Sequence, residues 1–122
     1  MHEMGEVVLV SPDLKTRSFL RAQLLEEGLR VSAFQSLEDA RQWLFIGGRV
    51  PSLLVMDVWR NPPSRGDIGM LVDVSDRSPV LFLAGARERL PEGLEQIGEV
   101  MRRPLSIREI VARVRSTKGR RS

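Results

Sequence analysis

The sequence predicts a single α/β domain, a doubly wound (βα)5 unit with a parallel β-sheet covered by helices on both faces. Three features predict it. Five short, mostly apolar runs recur along the chain, a helix-forming stretch follows each, and only a few residues connect them. Strands alternating with helices over short links form parallel sheets, because each right-handed crossover lays its helix on one face. With 122 residues and 42% hydrophobic content, the chain can build one core that buries about two-thirds of the unfolded surface. Two ordinary domains would not fit.

Val7 to Val10 reads as the first strand. From Asp13 to Glu27, Leu14, Phe19, Leu20, Leu24 and Leu25 fall at helical spacing, and Gly28 supplies the left-handed residue that ends the helix. The second strand covers Arg30 to Phe34. Ser36, with Asp39 three residues on, begins a helix through Ala40, Trp43, Leu44 and Ile46 that Gly47 and Gly48 stop. Leu53 to Asp57 is a continuous apolar run of the kind buried on both faces of a parallel sheet, and it ends in a carboxylate. The loop VWRNPPSRG follows, then a short helix from Asp67 to Val74 and a fourth strand from Val80 to Ala84. After a loose ARERL turn, Pro91 starts a helix through Leu94 and Ile97. The last pair is a short strand, Glu99 to Arg102, and a helix from Ser106 with Glu109 as its capping partner and Ile107, Ile110, Val111 and Val114 inward.

Composition excludes several chemistries. There is no cysteine and one histidine, His2, so disulfides, zinc ligand clusters and Cys/His or Ser/His catalysis have no basis. Apolar runs such as Val7 to Val10 and Leu53 to Met56 are far shorter than the ~20 residues of a membrane helix, and the start lacks a signal-peptide pattern. The expected location is cytoplasmic, with no membrane partner. A net charge of +3 is small, and the basic excess gathers at Arg113, Arg115, Lys118, Arg120 and Arg121. Without a helix-turn-helix or interleaved aromatics this cluster does not read specific nucleic acid. It is expected to be a tail or linker, residues 118–122, behind a domain of residues 1–117. No GxGxxG follows a strand, so a nucleotide loop is not indicated.

In such sheets, sites form at the carboxyl ends of the strands. Asp13 lies just past the first strand and Asp57 ends the third, which brings both acids to one rim. Each also has a plainer reading. Asp57 can cap its own loop, and Asp13, after Ser11 and Pro12, suits the start of a helix, where the macrodipole favours an acid. Trp59, beside arginines and stiff prolines, reads either as a binding hot spot or as a lid folded over the rim. Trp43 reads as core; Phe45 reads either way.

From about Glu6 to Ser116 the chain resembles a response-regulator receiver domain. The resemblance rests on the (βα)5 order, LLVMD ending in Asp57, the Pro and Gly after it, PVLFLAG, and the late RPLS segment. It implies the CheY-like, flavodoxin-like strand order 2-1-3-4-5 and places Asp57 at the phosphoacceptor position. The departures are as specific as the match. Receivers usually carry an acidic pair after the first strand, where this chain has Ser11 and Pro12, with Asp13 one step further on. Ala84 stands at the switch position of a Thr or Ser, Arg103 at that of the lysine, and Val100 where many receivers have an aromatic residue. The loop after Asp57 is one residue longer than usual.

The resemblance implies Mg²⁺ at Asp13, Asp57 and Trp59, but bound weakly or not at all, because magnesium needs several anionic oxygens in octahedral geometry. Pro12 offers no side-chain ligand, and Asp13 would have to turn back from the first helical turn. Ala84 lacks the hydroxyl that would grip a phosphoryl group. Arg103 is expected to pair with Asp57, its fork suiting a carboxylate. No cofactor and no enzymatic activity are expected. Two functions follow: a phosphorylation-independent module that binds a protein partner or a second copy through the face of the fourth helix, fifth strand and last helix, carrying Arg102, Arg108 and Arg115; or a receiver that accepts phosphate on Asp57 from a histidine kinase. An enzyme on the same fold is a distant third, with no catalytic pair visible.

Overall fold

The computed structural model describes residues 5–46 and 49–120, with side chains to 116. Five strands, β1 (Glu6–Val10), β2 (Arg30–Phe34), β3 (Leu53–Asp57), β4 (Val80–Ala84) and β5 (Glu99–Arg102), form one parallel sheet in the order β2-β1-β3-β4-β5. The helices are α1 (Leu14–Glu26), α2 (Leu37–Arg41), α3 (Arg65–Ser75), α4 (Leu94–Ile97) and α5 (Ile107–Arg120). This is the predicted doubly wound (βα)5 fold with the predicted order.

Strand alternation divides the interior into two cores. Val8, Val10, Leu54, Met56, Phe82 and Ala84 point to one face, where Leu37, Leu44, Leu71, Val74 and Leu94 meet them. Val7, Leu9, Leu53, Val55, Leu81 and Leu83 point to the other, against Leu20, Leu24, Ile110, Val111 and Val114. Each fully buried leucine contributes about 2 kcal/mol, so the two-sided burial of β1, β3 and β4 dominates the fold's stability and fixes its rim.

Local differences from the sequence reading have physical causes. In α1 only Leu20 and Leu24 are buried; Leu14, Phe19 and Leu25 are exposed, because the helix lays a single i, i+4 stripe on the sheet. Its end is a Schellman motif, with the Gly28 N–H donating to Leu25 O and the Leu29 N–H to Leu24 O, and Gly28 at φ 82°. At its other end Asp13 is the N-cap rather than a first-turn residue. After Arg41, α2 continues as a π-helical segment, Gln42–Ile46. Gly47 and Gly48, expected to stop it, lie outside the described residues.

Helix α3 starts at Arg65, two residues before the expected Asp67, because Ser64 and Asp67 form a reciprocal capping box that the sequence reading missed. Pro91 stays outside α4: Gly93, at φ 90°, interrupts the backbone and leaves a single turn. Ser106 caps α5 through the Glu109 N–H as expected. The α5 backbone runs to Arg120, through the expected boundary after residue 117, while the side chains of Lys118, Arg120 and Arg121 lie outside the description.

Candidate functional site

Sheet register assembles the rim. Val10 pairs with Met56, Asp57 with Leu83, and Ala84 with Arg102, so the residues following β1, β3, β4 and β5 emerge side by side. Asp57 sits at the centre and is only 2% exposed. A carboxylate so deeply removed from water requires hydrogen-bond donors and a countercharge. It has both. Ser11 Oγ donates to Oδ2 at 2.9 Å, the Trp59 backbone N–H donates to Oδ1 at 3.1 Å, and Arg103 Nη2 lies 3.4 Å from Oδ1. The last distance is long for a charge-assisted hydrogen bond, so attraction between the charges carries most of that contact.

Each partner is held from behind. Ser11 is fully buried, its N–H donates to Phe34 O at 3.0 Å, and its carbonyl accepts from Arg17 Nη1 at 2.8 Å. The Arg103 N–H donates to Ala84 O at 2.9 Å, and the Arg103–Pro104 peptide is cis. The Arg103 guanidinium carbon stands 4.3 Å from the centre of the Trp59 ring, and its buried Nε has no acceptor, so the ring's π-face is its nearest compensation. Arg60 covers the same ring at 4.4 Å. Gly85 lets the indole approach: a Cβ there would come within 2.9 Å of Trp59 Cδ1. Trp59 thus lies over the rim, in the geometry of a lid.

Asp13 faces elsewhere. Its Oδ2 accepts from the Thr16 hydroxyl at 2.7 Å and the Thr16 N–H at 2.9 Å, and these bonds, the hydroxyl's first, hold its carboxyl below the ordinary carboxylate value. The structure therefore joins Ser11, Asp57, Trp59 and Arg103 in one cluster, while the Asp13 carboxylate serves its own helix. Pro12 is exposed and brings no ligand. Ala84 is fully buried and presents only a methyl group at the end of β4.

Among the described residues no three His, Asp or Glu side chains are grouped to hold a metal ion. A single buried carboxylate that already faces a guanidinium does not fit an octahedral, oxygen-seeking dication, so the donor set here does not suit Mg²⁺.

Sequence reasoning missed Glu88. Its Oε1 accepts from the Gly85 N–H at 2.9 Å and its Oε2 from the Arg60 N–H at 2.8 Å, tying the loop after β4 to the loop after β3. Arg102 Nη1 donates to the carbonyls of Gly85 and Glu88 at 3.0 and 2.8 Å. Within ARERL the only hint was an acid between two arginines. The face expected to carry Arg102, Arg108 and Arg115 is altered accordingly: Arg102 is tied to this loop, and Arg115 pairs with Glu27 beside α1 at 3.8 Å.

No protein-family model matches the sequence, and no curated protein matches it. Solved structures do match in shape. A response regulator receiver protein from Burkholderia phymatum superposes with a TM-score of 0.75 at 20% identity, covering 94% of this chain and 95% of that one. A CheY-like receiver domain protein from Methanospirillum hungatei JF-1 gives 0.76 at 15% identity, with 94% of each chain covered. The receiver domain of the Francisella response regulator 1452 gives 0.73 at 22%, covering 97% and 99%. The chain has the CheY-like fold of response-regulator receiver domains over nearly its whole length. At such identities the match establishes the fold, and the function has to come from the rim. No helix among the described residues is long and apolar enough to cross a membrane.

Proposed function

We propose that this chain is an atypical receiver domain of a bacterial-type signalling system, cytoplasmic and non-enzymatic, that works as a protein-interaction module without a phosphorylation cycle. One observation supports this most directly. The Asp57 carboxylate is already engaged by Ser11, the Trp59 N–H and the Arg103 guanidinium, which supply the donors and positive charge that a metal and a lysine would share. Ala84 has no hydroxyl to draw toward an added phosphoryl group, so the push that would move the loop after β4 is missing. Partner binding, or pairing of two copies, is assigned to α4, β5 and α5, where Arg108 remains exposed.

The competing reading, phosphate transfer from a histidine kinase to Asp57, keeps one feature in its favour: the acid is retained at the end of β3. Incubation with acetyl phosphate and Mg²⁺, followed by intact-protein mass spectrometry, separates the two. An unmodified mass is expected. Gain of one phosphoryl group, abolished by Asp57→Asn, would establish the competing reading.

A further inference from the structure

We propose that the loops after β3 and β4, joined through Glu88, form a preassembled cationic docking surface for a carboxylate-rich segment of a partner protein. This rests on the interaction-module reading and adds to it a second contact surface, at the rim beside the α4, β5 and α5 face, with the chemistry of what it would bind. The two loops behave as one body. Glu88 accepts amides from both, Arg102 grips two carbonyls of the second, and the Trp59 ring fills the space that Gly85 leaves open. Arg60 holds a left-handed backbone at φ 58°, uncommon for a non-glycine residue, and its N–H is the group that Glu88 takes. A surface ordered in advance loses little freedom on binding.

The free charge of these two loops is mainly positive. Asp57 is occupied by Ser11, Trp59 and Arg103 and Glu88 by two amides, while Asp13, exposed and bonded to Thr16, stands apart at the start of α1. Arg60, Arg87 and Arg89 are exposed, and among the described residues none has a carboxylate within salt-bridge distance. Glu92 is the single exposed acid of the loop between β4 and α4. Guanidiniums pair with carboxylates through two parallel hydrogen bonds, so exposed arginines that face no carboxylate of their own suit an acidic segment. A nucleic acid is the less suitable occupant, because two guanidiniums already cover the indole on which a base would stack.

The probe is a hexaglutamate peptide titrated into the ¹⁵N-labelled protein at low salt. Saturable shifts are expected at Trp59, Arg60, Arg87 and Arg89. An Arg87→Glu/Arg89→Glu variant should weaken binding at least about ten-fold, and Glu88→Ala, which unties the loops, by roughly five-fold. Unchanged core amides, such as those of Leu9 and Val55, would show that both variants remain folded. As a control, Arg30→Glu/Arg113→Glu reverses the same charge at the opposite end of the sheet and should leave affinity within about two-fold. The proposal is overturned by absence of saturable shifts, by equal weakening in the control, or by tighter binding of hexathymidylate at the same residues. None of these outcomes depends on phosphate or metal at Asp57, so the interaction surface and the phosphorylation question fail separately.

Discussion

Replacing Arg103 with alanine isolates the contact on which the site depends. At 3.4 Å the gross attraction to Asp57 is about 5 kcal/mol for an effective dielectric near 20. Most of it offsets the cost of holding Asp57 out of water, since its side chain is 2% exposed and that of Arg103 is 25% exposed. Asp57 would keep the Ser11 and Trp59 donors. Loss of the cation and of its stacking on Trp59 should therefore cost about 2–3 kcal/mol, or roughly 10 °C in melting temperature for a domain of this size. Asp57→Asn alone should cost about 1 kcal/mol, because Arg103 can turn toward water. In the double variant the two losses should fall short of their sum by about 1.5 kcal/mol. Urea unfolding followed by far-ultraviolet circular dichroism measures all four proteins without relying on Trp59 emission. Additivity within about 0.5 kcal/mol would refute the pairing.

Pro12→Asp, Ala84→Thr and Arg103→Lys together should bind Mg²⁺ more tightly than the parent, measured by calorimetry on both; a triple variant that folds yet gains no affinity for the ion would show that these groups are not the cause. Gly85→Ala should push the indole off its seat, shift Trp59 emission to the red and cost about 1–2 kcal/mol. Because the Asp13 carboxyl is lowered by its bonds to Thr16, its stabilising contribution is present above the ordinary carboxylate value and is lost as pH falls through the lowered one. The stability difference between the parent and Asp13→Asn should accordingly shrink as pH falls through and below the ordinary carboxylate value, as read from urea midpoints.

The fold was legible because β1, β3 and β4 are buried on both faces, which writes them as continuous apolar runs with no competing helical pattern. The inward stripe of α1 was read too widely: composition places leucines at 14 and 25, but only the neighbouring elements decide which are covered. Asp57 and Arg103 were readable through the family pattern of their flanking residues. Ser11 was readable as a position but not as the donor to Asp57, because that bond spans 46 residues and depends on register at the rim. Glu88 was hidden for the same reason, since its Arg60 contact crosses 28 residues and joins two loops with no periodicity.

The most direct measurement is a titration of Mg²⁺ with beryllium trifluoride into the ¹⁵N-labelled protein, following the Asp57 and Ala84 amides. If Arg103, Ser11 and the Trp59 N–H already satisfy Asp57, both resonances stay in place through the titration. Saturable shifts at Asp57 that propagate to Ala84 would contradict this and identify a working phosphoacceptor.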